Sequence, residues 1–163
     1  MGIDISFFKP SGKSSLQTWL PHFTKGQTVI AVHNVCTTEA DIEFLKLSTV
    51  FLCLCPNANL YIGNKLPDVN MLMQQTDNIV LGTDSLASND QLSILEEIKT
   101  LQKHFPQLEL AKLLQWATIN GSIALKMDNM LGSFDKGKKP GIVLIEGADN
   151  LKLNEMSTSK RIL

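Results

Sequence analysis

The chain has little that would staple it, anchor it or give it a strong charge. Its three cysteines, Cys36, Cys53 and Cys55, are an odd and sparse set for 163 residues. They argue against a disulfide framework and for a reducing compartment, so a cytoplasmic location is expected. Neither sign of charge dominates: Lys+Arg is 15 against Asp+Glu 16. A nucleic acid or an anionic membrane is therefore not an expected partner. No apolar run approaches the ~20 residues of a membrane-spanning helix. The opening Met1-Gly2-Ile3-Asp4 has neither a basic stretch nor a long apolar one, so no signal peptide is expected. What is present is apolar residue, 44% of the chain, enough for one domain with a real core.

The first 25 or so residues are weakly patterned. Ile3-Asp4-Ile5-Ser6-Phe7-Phe8 reads as a short strand or a loop, and Leu16 to Phe23 as a short helix with Trp19 and Leu20 on its apolar face. Order sharpens at Thr28-Val29-Ile30-Ala31-Val32-His33, a β-branched run without alternation, as in a strand buried on both faces. Thr37 or Thr38 can cap a helix that carries Ile42 and Leu45, with Asp41 placed for a capping box after Thr38. Thr49 to Leu54 is a second buried strand, stopped by Cys55-Pro56. Pro67 suits the first turn of a helix through Met71 and Leu72, and Ile79 to Leu81 is a third strand. Leu92, Leu95 and Ile98 mark a helix ending near Pro106. Leu110, Leu113, Leu114 and Ala117 mark the next, which Asn120-Gly121 breaks before a short helix with Ala124 and Leu125. The turn Lys136 to Gly141 leads into Ile142-Val143-Leu144-Ile145, a strand that need not join the same sheet, and one last strand can follow Leu151. The fold class is α/β. The β-α-β-α-β-α order implies parallel strands, about three βα units, as in part of a TIM-type (β/α) barrel.

Candidate chemistry gathers at strand ends. Asp84 follows the Ile79–Leu81 run directly, flanked by the hydroxyls of Thr83 and Ser85. It is either a helix cap or turn residue or a site carboxylate, since ligands in such folds sit beyond the carboxyl ends of the strands. His33 ends an earlier strand. Alone it would be a hydrogen-bonded structural residue; paired with Asp84 it suits zinc hydrolysis chemistry. Cys53 and Cys55 share one side of a strand and read as buried thiols, although with His33 and Cys36 a zinc site can be imagined. Pro10-Ser11-Gly12-Lys13-Ser14-Ser15 hints at a phosphate loop, but Phe7 stands where that motif needs its first glycine, which leaves a solvated turn. Met71 and Met73 read as packing.

Four places together resemble the amidohydrolase superfamily, in its deaminase and chlorohydrolase-like branch: Val32-His33-Asn34; Cys55-Pro56-Asn57-Ala58-Asn59-Leu60; Gly82-Thr83-Asp84-Ser85-Leu86-Ala87-Ser88-Asn89; and Trp116 to Gly121 followed by Leu131-Gly132-Ser133-Phe134 and Gly137-Lys138. The order and spacing hold over about residues 28–146. The resemblance implies a (β/α) barrel holding one or two divalent metals, with a small β-sandwich built from both chain termini. His33 would sit on the sixth barrel strand, Cys55-Pro56 would close the seventh and Asp84 would end the eighth. Residues 1–130 would form part of the barrel, with strands near 28–33, 49–54 and 79–83, and residues 131–163 would supply sandwich strands.

The resemblance also implies roles. Asp84 would bind zinc or another divalent metal and shuttle the water's proton, and His33 would polarise water or substrate or itself be a metal ligand. The family's first-strand H-x-H pair and its fifth-strand histidine have no counterpart, and Leu54 stands where relatives often carry histidine. The chain is thus expected to be the C-terminal portion of a longer metal-dependent hydrolase acting on a cyclic or nucleobase-like small molecule. On its own it would bind metal weakly. The alternative is an inactive chain acting as a structural or interaction module. Open strand edges imply self-association. Nucleotide binding at Gly12-Lys13 is a third, lesser expectation.

Overall fold

The computed structural model describes residues 4, 6–24, 26–45 and 49–163. Ile3 and Ile5 of the first expected segment lie outside the described residues.

The centre of the molecule is a three-stranded parallel sheet of β1 (Thr28–Val32), β2 (Thr49–Leu54) and β3 (Ile79–Leu81), in that spatial order. Helices intervene between the strands: α2 (Glu39–Leu45) after β1, then α3 (Pro56–Gly63) and α4 (Val69–Gln75) after β2. α5 (Ile94–His104), α6 (Leu110–Ala117) and α7 (Ile119–Ala124) follow β3. Preceding the sheet are α1 (Ser15–Trp19) and a 3-10 turn, Leu20–His22. The expected helix through Phe23 is therefore shorter. Its buried residue is Leu20, while Trp19 is exposed. A separate antiparallel pair, β4 (Val143–Glu146) and β5 (Thr158–Arg161), ends the chain.

β2 is central and buried on both faces. Val50, Leu52 and Leu54 point into the main core with Leu72, Ile98, Leu101, Leu113 and Trp116. Phe51, Cys53 and Cys55 point the other way, into a smaller cluster with Ala58, Val80 and Ala124. β1 departs from the expected two-sided burial. Val29 and Ala31 pack on the core, but Ile30 and Val32 are 38% and 49% exposed. β1 is an edge strand, and no described element covers that side of it fully.

Local signals place the helices. Ser93 caps α5 through its side chain, acidic Glu96 and Glu97 stand in the first turn, and Lys103 and His104 stand in the last, matching the helix dipole. Asp68 rather than Pro67 caps α4, accepting from the Met71 amide, so this helix begins later than expected. α3 was not anticipated. Pro56 opens it and Asn64 ends it in the left-handed conformation. Asp41 does take up the expected pairing with Thr38, accepting from its amide and hydroxyl. It also accepts hydrogen bonds from Ser14 and Gln17, which join α1 to α2. Burial alone would raise the Asp41 carboxyl, but these donors outweigh it and hold the group below its usual range.

The break assigned to Asn120-Gly121 lies instead at Thr118, and both residues are inside α7. Asn120 turns inward and donates to the carbonyls of Asp77 and Ile79, at 2.8 Å each, fastening α7 to the start of β3. Gly132 has φ +87°, and a Cβ there would lie 2.1 Å from the Ser122 hydroxyl, so glycine serves both conformation and space.

Candidate functional site

Two chain segments, one on either side of β2, leave the sheet at its carboxyl end and carry the expected pair. His33 follows β1, and its amide still donates to Cys53 O at 2.9 Å, continuing the ladder. Asp84 lies just beyond β3, whose ladder Gly82 extends to Leu54 O at 3.0 Å. Their side chains meet: His33 Nε2 is 3.7 Å from Asp84 Oδ2, with the two side chains 37% and 32% exposed. The pair is reachable from solvent and partly shielded from it. Parallel pairing makes this possible, because strand ends on one side of the sheet deliver residues to one place.

Each member of the pair is held. Asn59, on α3, accepts from His33 Nδ1 through Oδ1 at 2.7 Å, while its Nδ2 faces the His33 carbonyl at 3.4 Å. With Asn59 Oδ1 accepting, Nδ1 is the ring's donor and Nε2 is the nitrogen turned toward Asp84. Ser88 donates to Asp84 Oδ2 at 2.6 Å. Asn89 donates to Thr83 O, one residue before Asp84, at 2.8 Å. His33, Asn34 and Asp84 all have left-handed backbone, with φ of 73°, 57° and 57°. Residues with side chains rarely adopt this conformation unless their surroundings impose it, and such strain concentrates at functional sites.

Below the pair lie the two thiols. Cys53 Sγ and Cys55 Sγ are 4.0 Å apart and buried. The hydrogen bond with Cys53, then burial, pushes the Cys55 thiol up, so it stays a neutral thiol. The Asp84 amide also bonds to Cys55. A Cβ on Gly82 would come within 2.8 Å of Cys53 Sγ, which explains why glycine precedes Thr83-Asp84. Cys36 is exposed, unlike this buried pair. Among the described residues no group of three His, Cys, Asp or Glu side chains converges. The turn at Gly12 has φ +72°, and Ser14 beyond it caps α1, as the solvated-turn reading requires.

Reasoning from sequence missed Glu97, Asn57, Asn59 and Asn89 as individual residues. Glu97 is fully buried on α5, accepting from the Asn57 amide, the Asn57 side chain and the Asn89 side chain at 2.9, 3.2 and 2.7 Å. Burial pushes its carboxyl above the usual glutamate range, opposed by these donors. An available signal for the asparagines was three of them, Asn57, Asn59 and Asn89, in the segments that follow two strands, where polar side chains tie loops.

Residues 13–162 match the family model described as the amidohydrolase family. The chain is 33% identical over 149 residues to the 5-methylthioadenosine/S-adenosylhomocysteine deaminase of Thermoanaerobacter pseudethanolicus, covering 85% of this chain and 34% of that protein. Among solved structures, an adenosine deaminase from Xanthomonas campestris with bound zinc superposes with a TM-score of 0.64 at 31% identity, over 73% of this chain and 29% of that one. An aminofutalosine deaminase from Helicobacter pylori, in complex with methylthio-coformycin, gives 0.61 at 26% identity, over 69% and 28%. The chain thus spans about a third of the length of the relatives it matches.

Proposed function

Because the chain belongs to the amidohydrolase family, we propose that it supplies the His33–Asp84 part of a hydrolytic deaminase acting on an amino-substituted purine nucleoside or a similar ring. The observation that carries this is the pair itself, an imidazole and a carboxylate 3.7 Å apart beyond parallel strand ends. The names of the relatives support the substrate class, since those proteins deaminate adenosine-type compounds. The sheet and its helices would form about three units of a (β/α) barrel over residues 1–130. The β4–β5 pair, within 131–163, would belong to a small sandwich.

The two side chains suit a divalent cation of the zinc type. Asn59 occupies Nδ1, leaving Nε2 free as a donor, and Asp84 offers a partly exposed carboxylate beside it. They are a partial set, since catalytic zinc takes about three protein ligands. When bound, such a metal lowers the pKa of water toward neutrality. The chain's own residues do the rest. Asp84 takes the proton from the water that attacks the amino-bearing ring carbon and returns it to the departing amine, which leaves as ammonia. Ser88, donating to Oδ2, keeps that carboxylate oriented through both transfers. His33 accepts or donates at Nε2 to position the water or steady developing charge.

The partial set is tested by following the ring signals of His33 during a zinc titration of this chain. Zinc should bind weakly and move His33, and Asp84→Asn should abolish the movement. Tight stoichiometric binding that survives Asp84→Asn would contradict the assignment.

The exposed face of β1 favours a second reading, in which the chain is inactive alone and self-associates through its sheet edges. Light scattering decides it: Ile30→Lys or Val32→Lys should shift a dimer or larger species toward monomer, and a monodisperse wild-type monomer would refute it.

A further inference from the structure

We propose that Glu97 is a positioning residue for this site: one buried carboxylate clips the segment after β2 to the segment after β3 and so keeps His33 and Asp84 facing each other.

The connections run through two branches. On one side, Glu97 Oε2 accepts from the Asn57 amide at 2.9 Å and Oε1 accepts from its side chain at 3.2 Å. Thr100, one turn further along α5, donates to Asn57 Oδ1 at 2.5 Å. Asn57 is therefore fixed at the opening of α3, and Asn59 on the same helix holds the His33 ring. On the other side, Oε1 accepts from Asn89 Nδ2 at 2.7 Å. That same Nδ2 donates to Thr83 O, the carbonyl of the peptide that enters Asp84. Both branches end at a residue held in left-handed backbone, His33 at 73° and Asp84 at 57°. Such a backbone persists only where its surroundings determine it.

A purely structural role explains this group poorly. The helix-dipole contribution at the start of α5 is already available from Glu96, which pairs with Lys99 at 2.8 Å nearer solvent. Glu97 is fully buried, and among the described residues no lysine or arginine pairs with it. A buried carboxylate satisfied by amides alone is a costly way to fill a core, and an apolar residue would serve packing better. What a carboxylate provides is acceptors only, enough for three donors from two chain segments, the start of α3 and the segment after β3. Glutamine has the same shape but must turn an NH2 toward one of those donors.

This inference rests on reading His33 and Asp84 as the site, but its test needs no turnover. In 15N-labelled chain at about pH 8.5, well above the ordinary histidine pKa, the His33 ring should show Nδ1–H. Glu97→Gln should fold, as judged by circular dichroism, yet lose that Nδ1–H signature and shift the amides of Thr83 to Ser88. His22, on the 3-10 turn, and His104, at the opposite end of α5, make none of the clip's hydrogen bonds and should stay unchanged. A folded Glu97→Gln chain with the wild-type His33 tautomer and Asp84 amide would overturn the proposal. Should that variant fail to fold, Asn89→Ala cuts one branch only. It should move the Asp84 amide and spare the His33 tautomer, and movement of neither would equally overturn it. An intact clip in a chain that never supports deamination would refute the functional reading and leave the clip standing.

Discussion

Replacing Asn120 by alanine should lower the unfolding free energy by about 2 kcal/mol, from two lost side-chain hydrogen bonds each worth roughly 0.5–1.5 kcal/mol. Both bonds come from the same Nδ2, to Asp77 O and Ile79 O at 2.8 Å, and Asn120 is only 6% exposed. Water cannot readily take the place of the lost donor. For a domain of this size the expected fall in Tm is on the order of 4–8 °C. Urea unfolding is the assay, with the slope unchanged, so that a shift in midpoint reports stability rather than denatured-state compactness. Asn120→Asp is the sharper control. It preserves shape, removes both donors and aims a carboxylate at two carbonyls, so it should cost at least as much. A loss below about 0.5 kcal/mol in either variant would place Asn120 among ordinary surface substitutions and refute the idea that α7 fixes the start of β3. Function enters through the same strand, because β3 carries Asp84 to its place.

Other perturbations report on other parts of the structure. Gly132→Ala meets both a left-handed φ and the Ser122 hydroxyl, and should cost about 2–4 kcal/mol by strain and overpacking; a Tm near wild type would contradict the packing. The Asp41 carboxyl is held below its unfolded value, so its stabilisation is present above about pH 4 and is lost as pH falls through the folded pKa. Acid unfolding of Asp41→Asn should therefore be less steep in that window, and an identical profile would remove Asp41 from the account. In the folded chain a thiol reagent should modify Cys36 rapidly and reach Cys53 and Cys55 only on unfolding, because the pair is buried. Rapid reaction of all the thiols would show the sheet to be more open than described.

Much of the fold was legible in sequence because the strands β1, β2 and β3 are β-branched or apolar runs bounded by clear stops. The placement of His33 and Asp84 beyond strand ends was legible for the same reason, as polar residues that closely follow such runs. The two-sided burial expected for β1 failed because lack of alternation records only that both faces are apolar, whereas burial depends on what covers them. Helix α3 was missed because its pattern is not amphipathic: Ala58 and Asn59 are buried while Tyr61 and Ile62 are exposed. Asn120-Gly121 looked like a helix breaker by composition, but the Asn120 side chain bonds across to another element, which local propensity does not register. Glu97 was invisible for a similar reason. On a helix pattern it is one of two adjacent glutamates, and only the folded chain shows which of them is buried.

The central claim is that this chain carries the His33–Asp84 part of a deaminase site. The direct measurement is ammonia release from adenosine and 5-methylthioadenosine, with zinc present, when this chain is mixed with the part of a homologous deaminase that it does not match. Release should require both pieces, and Asp84→Asn in this chain should lower it by at least ~100-fold, the scale of a lost acid–base group. Release unaffected by Asp84→Asn would contradict the account.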